Sequence, residues 1–340
     1  MKIRSITSFF DPSETIRPGT LNVLKAMNEE IDKMIRDLGI EIESKRLATP
    51  PFSTYLSGKT TIKIEKLRAL EEQIGDMGWN YLSAGPATPD RLEDYALIPE
   101  FLAKTQNVFF SGVIADQKTV YPQAARACAE VITRCSTLQS NGFSNLYFAA
   151  LANVSPHAPF FPAAFHIPGQ RAAFSLAMEC ADEAVNAFSG ATSLEGARAS
   201  FLSRLESAAA KLTPVCQNLS VKYGVDFKGF DFSPAPYPED WCSLGNAFEC
   251  LGLQQIGQTG SLAVAAFIAD ALDSGTWIKV GFNGLMLAVL EDSVLAARAA
   301  EGNLTVKDLL LYSAVCGTGL DTIPLPGDVS TDELTGILLD

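Results

Sequence analysis

Imidazole is scarce: the 340-residue sequence holds two histidines, His157 and His166. Zinc sites built from Cys and His want ligands two to four residues apart. The seven cysteines, Cys128, Cys135, Cys180, Cys216, Cys242, Cys250 and Cys316, contain no CxxC pair, so the metal signal from these residue types is weak. Odd in number and set mostly in apolar helical surroundings, they read as reduced core thiols. A GxSxG elbow, a P-loop, an HExxH pair and an EF-hand spacing are all missing, which removes support for the usual hydrolase, nucleotide and metalloprotease readings. The longest apolar run, residues 262–272, already contains Asp270 and falls well short of the roughly 20 residues that a spanning helix needs. Met1-Lys2-Ile3-Arg4 leads straight into a strand-like pattern without the apolar core of a signal peptide, so a cytoplasmic location is expected. Positive charge is also short: 26 Lys and Arg stand against 39 Asp and Glu, a net −13. That balance repels phosphate backbones and anionic lipid, so no nucleic-acid or membrane partner is expected.

What is present is a chain that is 47% hydrophobic and 19% charged, able to bury a large core. In the first 150 residues or so, β-rich runs at 3–9, 40–47, 79–84, 108–114 and 145–151 alternate with helical stripes or long connections. One stripe is Leu21, Leu24, Met27, Ile31, Met34 and Leu38; another is Leu67, Leu70, Ile74 and Met77. Strand-helix alternation of this kind predicts a parallel sheet. A loop rich in proline and aromatics, residues 152–169, then interrupts the pattern, and loops of that length are usually functional or linking. Helices are predicted over 170–188 and 194–223, with Pro214 kinking or ending the second. Strands resume at 226–232, near 277–280, at 285–290 and at 320–325. Without a flexible linker, the halves 1–151 and 170–340 are expected to form a single α/β barrel domain over 1–340, with 3–9 and 226–232 lining its interior.

Polar residues gather at the predicted C-terminal ends of the second half's strands, where parallel α/β folds build their sites. Asp231 and Ser233 precede a proline-rich turn, either as site groups or as partners of that turn's backbone. Gly257, Thr259, Gly260 and Ser261 open a helix, either as a cradle for a carboxylate or phosphate or as an ordinary cap. Glu291 and Asp292 follow an apolar run and can equally be a helix cap. Asp321 and Asp328 bracket a stiff proline-containing segment. Together with Asp231 and Glu291 they supply either acid/base carboxylates, oxygen ligands for a divalent cation, or separate solvated loop charges. His166, flanked by Phe160, Phe161 and Phe165, is either a general base or a hydrogen-bonded residue under aromatic cover.

The run Tyr312-Ser313-Ala314-Val315-Cys316-Gly317-Thr318-Gly319-Leu320-Asp321-Thr322-Ile323-Pro324-Leu325-Pro326-Gly327-Asp328 resembles the signature of the domain of unknown function 711 family. Further matches are Phe232-Ser233-Pro234-Ala235-Pro236-Tyr237-Pro238, Gly281-Phe282-Asn283-Gly284-Leu285-Met286-Leu287, Leu290-Glu291-Asp292, residues 159–166 and Ile3-Arg4-Ser5-Ile6-Thr7. The resemblance covers essentially the whole chain. It implies a barrel similar to pyruvate formate-lyase, ten strands in two parallel five-stranded halves, and an ACT-domain protein as a regulatory partner. No glycyl radical is expected, because Val315-Cys316-Gly317-Thr318 lacks the flanking Arg and aromatic of such a site. Family members are expected to continue beyond the position of Asp340, which leaves barrel closure incomplete at the C-terminus.

Two functions follow as expectations. In the first, the protein is a non-radical enzyme acting on a small polar or anionic molecule, with Asp231, Glu291, Asp321 and His166 as its acid/base or metal-binding groups around one cavity. In the second, it is a non-catalytic ligand sensor working with an ACT-domain partner. The helix predicted at 331–339 leaves an open sheet edge, so self-association into a homo-oligomer is expected.

Overall fold

In Lys2–Phe9 (β1), Ile6 and Phe10 face helices while Ser5, Thr7 and Phe9 face the other way, the period of two that builds a strand covered on both sides. The computed structural model describes residues 1–13 and 19–340. Six further strands join β1: Ile42–Ala48 (β2), Tyr81–Ala87 (β3), Val108–Ala115 (β4), Phe148–Ala152 (β5), Ala173–Glu179 (β6) and Asp226–Asp231 (β7). They form one sheet in the order β5-β4-β3-β2-β1-β6-β7. The first five run parallel, as does β6 with β7, but β1 and β6 are antiparallel. Two parallel units therefore meet back to front along one seam. Among the described residues, no helix is long and apolar enough to cross a membrane.

The first half follows the predicted strand order with shifts of a few residues at the ends. The second half departs from it. Residues 170–188, expected to be helical, divide into β6 and the helix Ala181–Phe188. All seven residues of β6 are buried, and a short run buried on both faces carries no period to distinguish strand from helix. Of the later strand predictions, only a single parallel bridge, Phe230 to Lys279, appears beside β7. Residues 285–290 and 320–325 form turns and extended loops, so the sheet has seven strands where ten were expected. Pro214 does not end its helix, which runs unbroken over Leu194–Tyr223.

One face of the sheet packs against helices in the main apolar core, which draws on both halves of the chain, from Ile3 to Tyr312. The other face carries small and hydroxylic side chains, and the 153–172 segment lies on it. Thr7 Oγ1 donates to the Pro159 carbonyl at 2.8 Å, Ser83 Oγ to Ala164 at 2.7 Å and Ser175 Oγ to His157 at 2.9 Å. Asp11 receives the Gly169 amide at 2.8 Å. Strand hydroxyls thus satisfy carbonyls in the middle of this irregular segment, while the backbones of Ala115 and Asp226 bond its ends at Asn153 and Ala172. Phe9, Ala48, Ala164 and Ala173 seal it as a small second core. The helix Thr331–Leu339 packs on the helix Pro122–Cys135, with Arg126 Nη1 2.6 Å from Asp332, instead of lying along a strand.

Candidate functional site

The antiparallel seam sets the second unit's C-terminal strand ends beside the first unit's N-terminal ends. At that junction the register slips between Ile3, opposite Met178, and Ser5, opposite Ala177, leaving Arg4 as an unpaired bulge residue. Bulges re-aim side chains, and this one turns a guanidinium into a nest of carboxylates. Arg4 Nη1 donates to Glu43 Oε2 at 3.1 Å and to Glu179 Oε2 at 3.3 Å, and Nη2 donates to Glu291 Oε2 at 3.1 Å. Burial works against the arginine's charge, but Glu291, Glu43 and Glu179 outweigh it and hold its pKa above the ordinary value. Glu179, 2% exposed, also has a raised pKa, because burial outweighs the pull of Arg4.

Asp321 lies within electrostatic reach of this group. It follows the helix Val306–Cys316, whose end is turned by Gly317 in the left-handed region, and its neighbour Thr322 holds φ 43°. A β-branched residue there is strained, a feature that clusters at functional sites. Burial first, then the charge of Glu291, raises the Asp321 pKa to about 7, with Arg4 opposing. The hydroxyls of Thr318 and Thr322 on the same loop are buried and have no hydrogen-bond partner among the described residues.

Arg46 of β2 lies alongside. Its Nε donates to Ser44 Oγ at 2.9 Å, and Ser44 in turn donates to the Arg4 carbonyl at 2.8 Å. The guanidinium carbon sits over the rings of Phe161, at 5.3 Å, and Tyr81, at 5.8 Å. It forms no ion pair among the described residues. Burial, followed by repulsion from Arg4, lowers its pKa to about 10, with Glu43 and Glu291 opposing.

The other expected site residues have local work. Asp231 Oδ1 accepts from Ser233 Oγ at 2.6 Å and from the Ser233 and Asn283 amides at 3.0 and 2.9 Å, while Oδ2 accepts from Phe282 N at 2.7 Å. Gly281 holds φ +76°, and a Cβ there would lie 2.2 Å from Asp231 Oδ2. Asp231 is therefore the staple of two loops, its oxygens spent on backbone, and its contacts do not bring it to Glu291 and Asp321. His166 Nδ1 lies 2.9 Å from His157 Nε2 and its Nε2 3.3 Å from the Gln170 carbonyl. Both of its nitrogens are engaged, the arrangement of a hydrogen-bonded residue under aromatic cover.

In the expected anion cradle, two amides are spent within the turn. The Gly257 amide donates to Ser261 Oγ at 3.1 Å, and the Ser261 amide to the Gln258 carbonyl at 3.1 Å. Gly257 is needed because a Cβ would lie 2.1 Å from the Asn303 carbonyl oxygen, Gly260 caps the helix in the left-handed region, and Thr259 is exposed. Adjacent Glu291 and Asp292 separate: the first binds Arg4, while the second caps helices. As for a divalent cation, no three of His, Cys, Asp and Glu are grouped as metal ligands among the described residues. The carboxylates surround a guanidinium instead.

Arg4, Glu43, Arg46 and Glu179 were not among the expected site residues. Their signal was arginine at two interior strand positions, in Ile3-Arg4-Ser5-Ile6 and Ser44-Lys45-Arg46-Leu47, where a charge is costly unless it is used or paired.

The profile of the family described as "Uncharacterised ACR (DUF711)" matches residues 1–340. A UPF0210 protein of Pyrobaculum aerophilum is 30% identical over 338 aligned residues, covering 93% of this chain and 73% of the relative. UPF0210 proteins of Methanopyrus kandleri and Corynebacterium glutamicum are each 27% identical, covering 97% and 90% of this chain and 78% and 69% of the relatives.

Proposed function

The chain belongs to the uncharacterised DUF711 family, and we propose that it is an enzyme performing acid/base chemistry on a small polar molecule bound at the Arg4 cluster. The observation that supports this reading is the Asp321 carboxyl, which accepts no hydrogen bond among the described residues and lies within electrostatic reach of the Glu291–Arg4 ion pair. A carboxyl with a pKa of about 7 exists in both protonation states at neutral pH, the condition under which proton transfer to and from a substrate is most effective. Burial first, and then like-charge repulsion from Glu291, keep the proton on Asp321. Arg4 fixes Glu291 in place and offsets its charge. Asp231 and His166 hold the surrounding loops and take no part in proton transfer.

The test is to incubate the wild-type chain and D321N in parallel with mixtures of small carboxylic acids and polyols, following each compound by mass spectrometry. A compound consumed by wild type and untouched by D321N is expected. Equal turnover by both proteins would refute the assignment, and turnover by neither would favour ligand binding without chemistry.

A further inference from the structure

We propose that Arg46 is the anchor for the carboxylate of a flat, apolar monocarboxylic acid, held against the aromatic wall formed by Phe161, Tyr81, Phe109 and Tyr147. The inference deepens the acid/base reading by naming the class of molecule its site would take.

Arg46 is 9% exposed, yet among the described residues only its Nε has a hydrogen-bond partner, Ser44 Oγ, and it has no ion-pair partner there. Its Nη groups keep some accessible surface and are open to a ligand, and a guanidinium this far from water gains from an anionic partner. Arg4, an arginine on the same face, is compensated by three carboxylates. With rings over its carbon, the remaining in-plane N–H groups of Arg46 suit an acceptor with two coplanar oxygens.

The wall beside it is continuous. Tyr81 and Phe109 have ring centroids 5.5 Å apart, Phe109 and Phe161 5.3 Å, and Phe109 and Tyr147 4.6 Å. All four rings are only partly buried, so an apolar body lying on them would remove their remaining surface from water. The neighbouring charges set the ligand's charge as well. Glu43 and Glu291 act on Arg46 electrostatically without pairing with it, and their field disfavours a dianion such as phosphate more than a monoanion.

The experiment is calorimetric titration of the full chain at neutral pH with benzoate, acetate, benzyl alcohol and inorganic phosphate. Benzoate is expected to bind most tightly. Acetate should lose the contribution of the rings, benzyl alcohol that of the anion, and phosphate should bind no better than acetate. R46Q should weaken benzoate binding by roughly ten- to a hundredfold, the value of a charge-assisted hydrogen-bonded pair. F161A should narrow the gap between benzoate and acetate. If R46Q does not fold, R46K serves in its place: it keeps the charge but not the planar fork, and should still weaken benzoate. Phosphate binding more tightly than benzoate, benzoate and acetate binding equally, no benzoate binding, or unchanged binding by R46Q or R46K would each overturn the proposal. Because the readout is binding, it stands or falls apart from the turnover of D321N.

Discussion

Arg4 Nη2 and Glu291 Oε2 lie 3.1 Å apart although 287 residues separate them in the chain. The contact ties the first strand of one parallel unit to a loop of the other and sets the charge next to Asp321. Replacing Glu291 by Gln removes the repulsion that helps keep the Asp321 proton in place, while Glu43 and Glu179 still compensate Arg4. The Asp321 pKa should therefore fall from about 7 toward the ordinary carboxyl range, as read by carbon-detected NMR titration of the carboxyl groups. The Glu291 side chain is 41% exposed, so the stability change should stay below about 1 kcal/mol. An Asp321 titration that does not move in E291Q would show that Glu291 has no hold on it.

The neighbouring carboxylate, Asp292, gives the opposite expectation. It is 1% exposed and accepts from Ser243 Oγ, Leu244 N, Gly245 N, Val294 N and Leu295 N at 2.6 to 3.2 Å. One side chain thus caps the helices Leu244–Cys250 and Ser293–Ala300 together. D292A strands several buried donors and should cost about 2–4 kcal/mol in urea unfolding, more than an ordinary single cap. A loss below about 1 kcal/mol would mean that other groups satisfy these amides.

The histidine pair makes the fold sensitive to acid. Burial, then the charge of His166, lowers the His157 pKa from 6.5 to about 4, and burial lowers that of His166 as well. A histidine whose folded pKa is depressed binds fewer protons folded than unfolded. Its stabilisation is complete above pH 6.5 and is lost as pH falls through about 4. Between pH 7.5 and 4.5 His157 alone should account for a loss of ~2–3 kcal/mol. Urea unfolding of the wild type and H157Q across that range checks it: the variant should start less stable and show a shallower decline. Parallel slopes would remove the histidine from the account.

The sequence carried the first unit well because its strands and helices keep their own periods: Leu67 and Ile74 are buried on one stripe, and β1 starts one residue before its predicted position. It carried the second unit poorly because β6 is buried on both faces and because the later loops satisfy themselves through side chains such as Asp231 instead of a ladder. The candidate site was half legible. Glu291 and Asp321 stand in the runs that were singled out; Glu291 pairs with Arg4, and Asp321 lies within electrostatic reach of both. That arginine was hidden because its direction depends on a bulge across an antiparallel seam, and neither bulge nor seam has a local signature. The seam also moved the expected rim, joining C-terminal strand ends of one unit to N-terminal ends of the other.

The irregular segment on the sheet depends on strand hydroxyls, which gives a last prediction independent of charge. Thr7 and Ser83 are fully buried and donate to the Pro159 and Ala164 carbonyls. Thr7→Val keeps the shape and removes the donor, and Ser83→Ala removes the other, so each leaves a buried carbonyl without that partner at a cost of about 1–3 kcal/mol. The loss should be local, because the helix-facing core is untouched and the segment is held by these bonds together with those from Ser5, Ser175 and Asp11 and by the His166 amide donating to Thr49 at 3.0 Å. In T7V/S83A, hydrogen exchange at the His157 and His166 amides should accelerate by tenfold or more, while amides of β1 and β2 paired within the sheet exchange nearly as before. Uniform acceleration across the whole sheet would show that the segment is part of the global folding unit, and unchanged exchange at both histidines would show that the hydroxyls do not hold it.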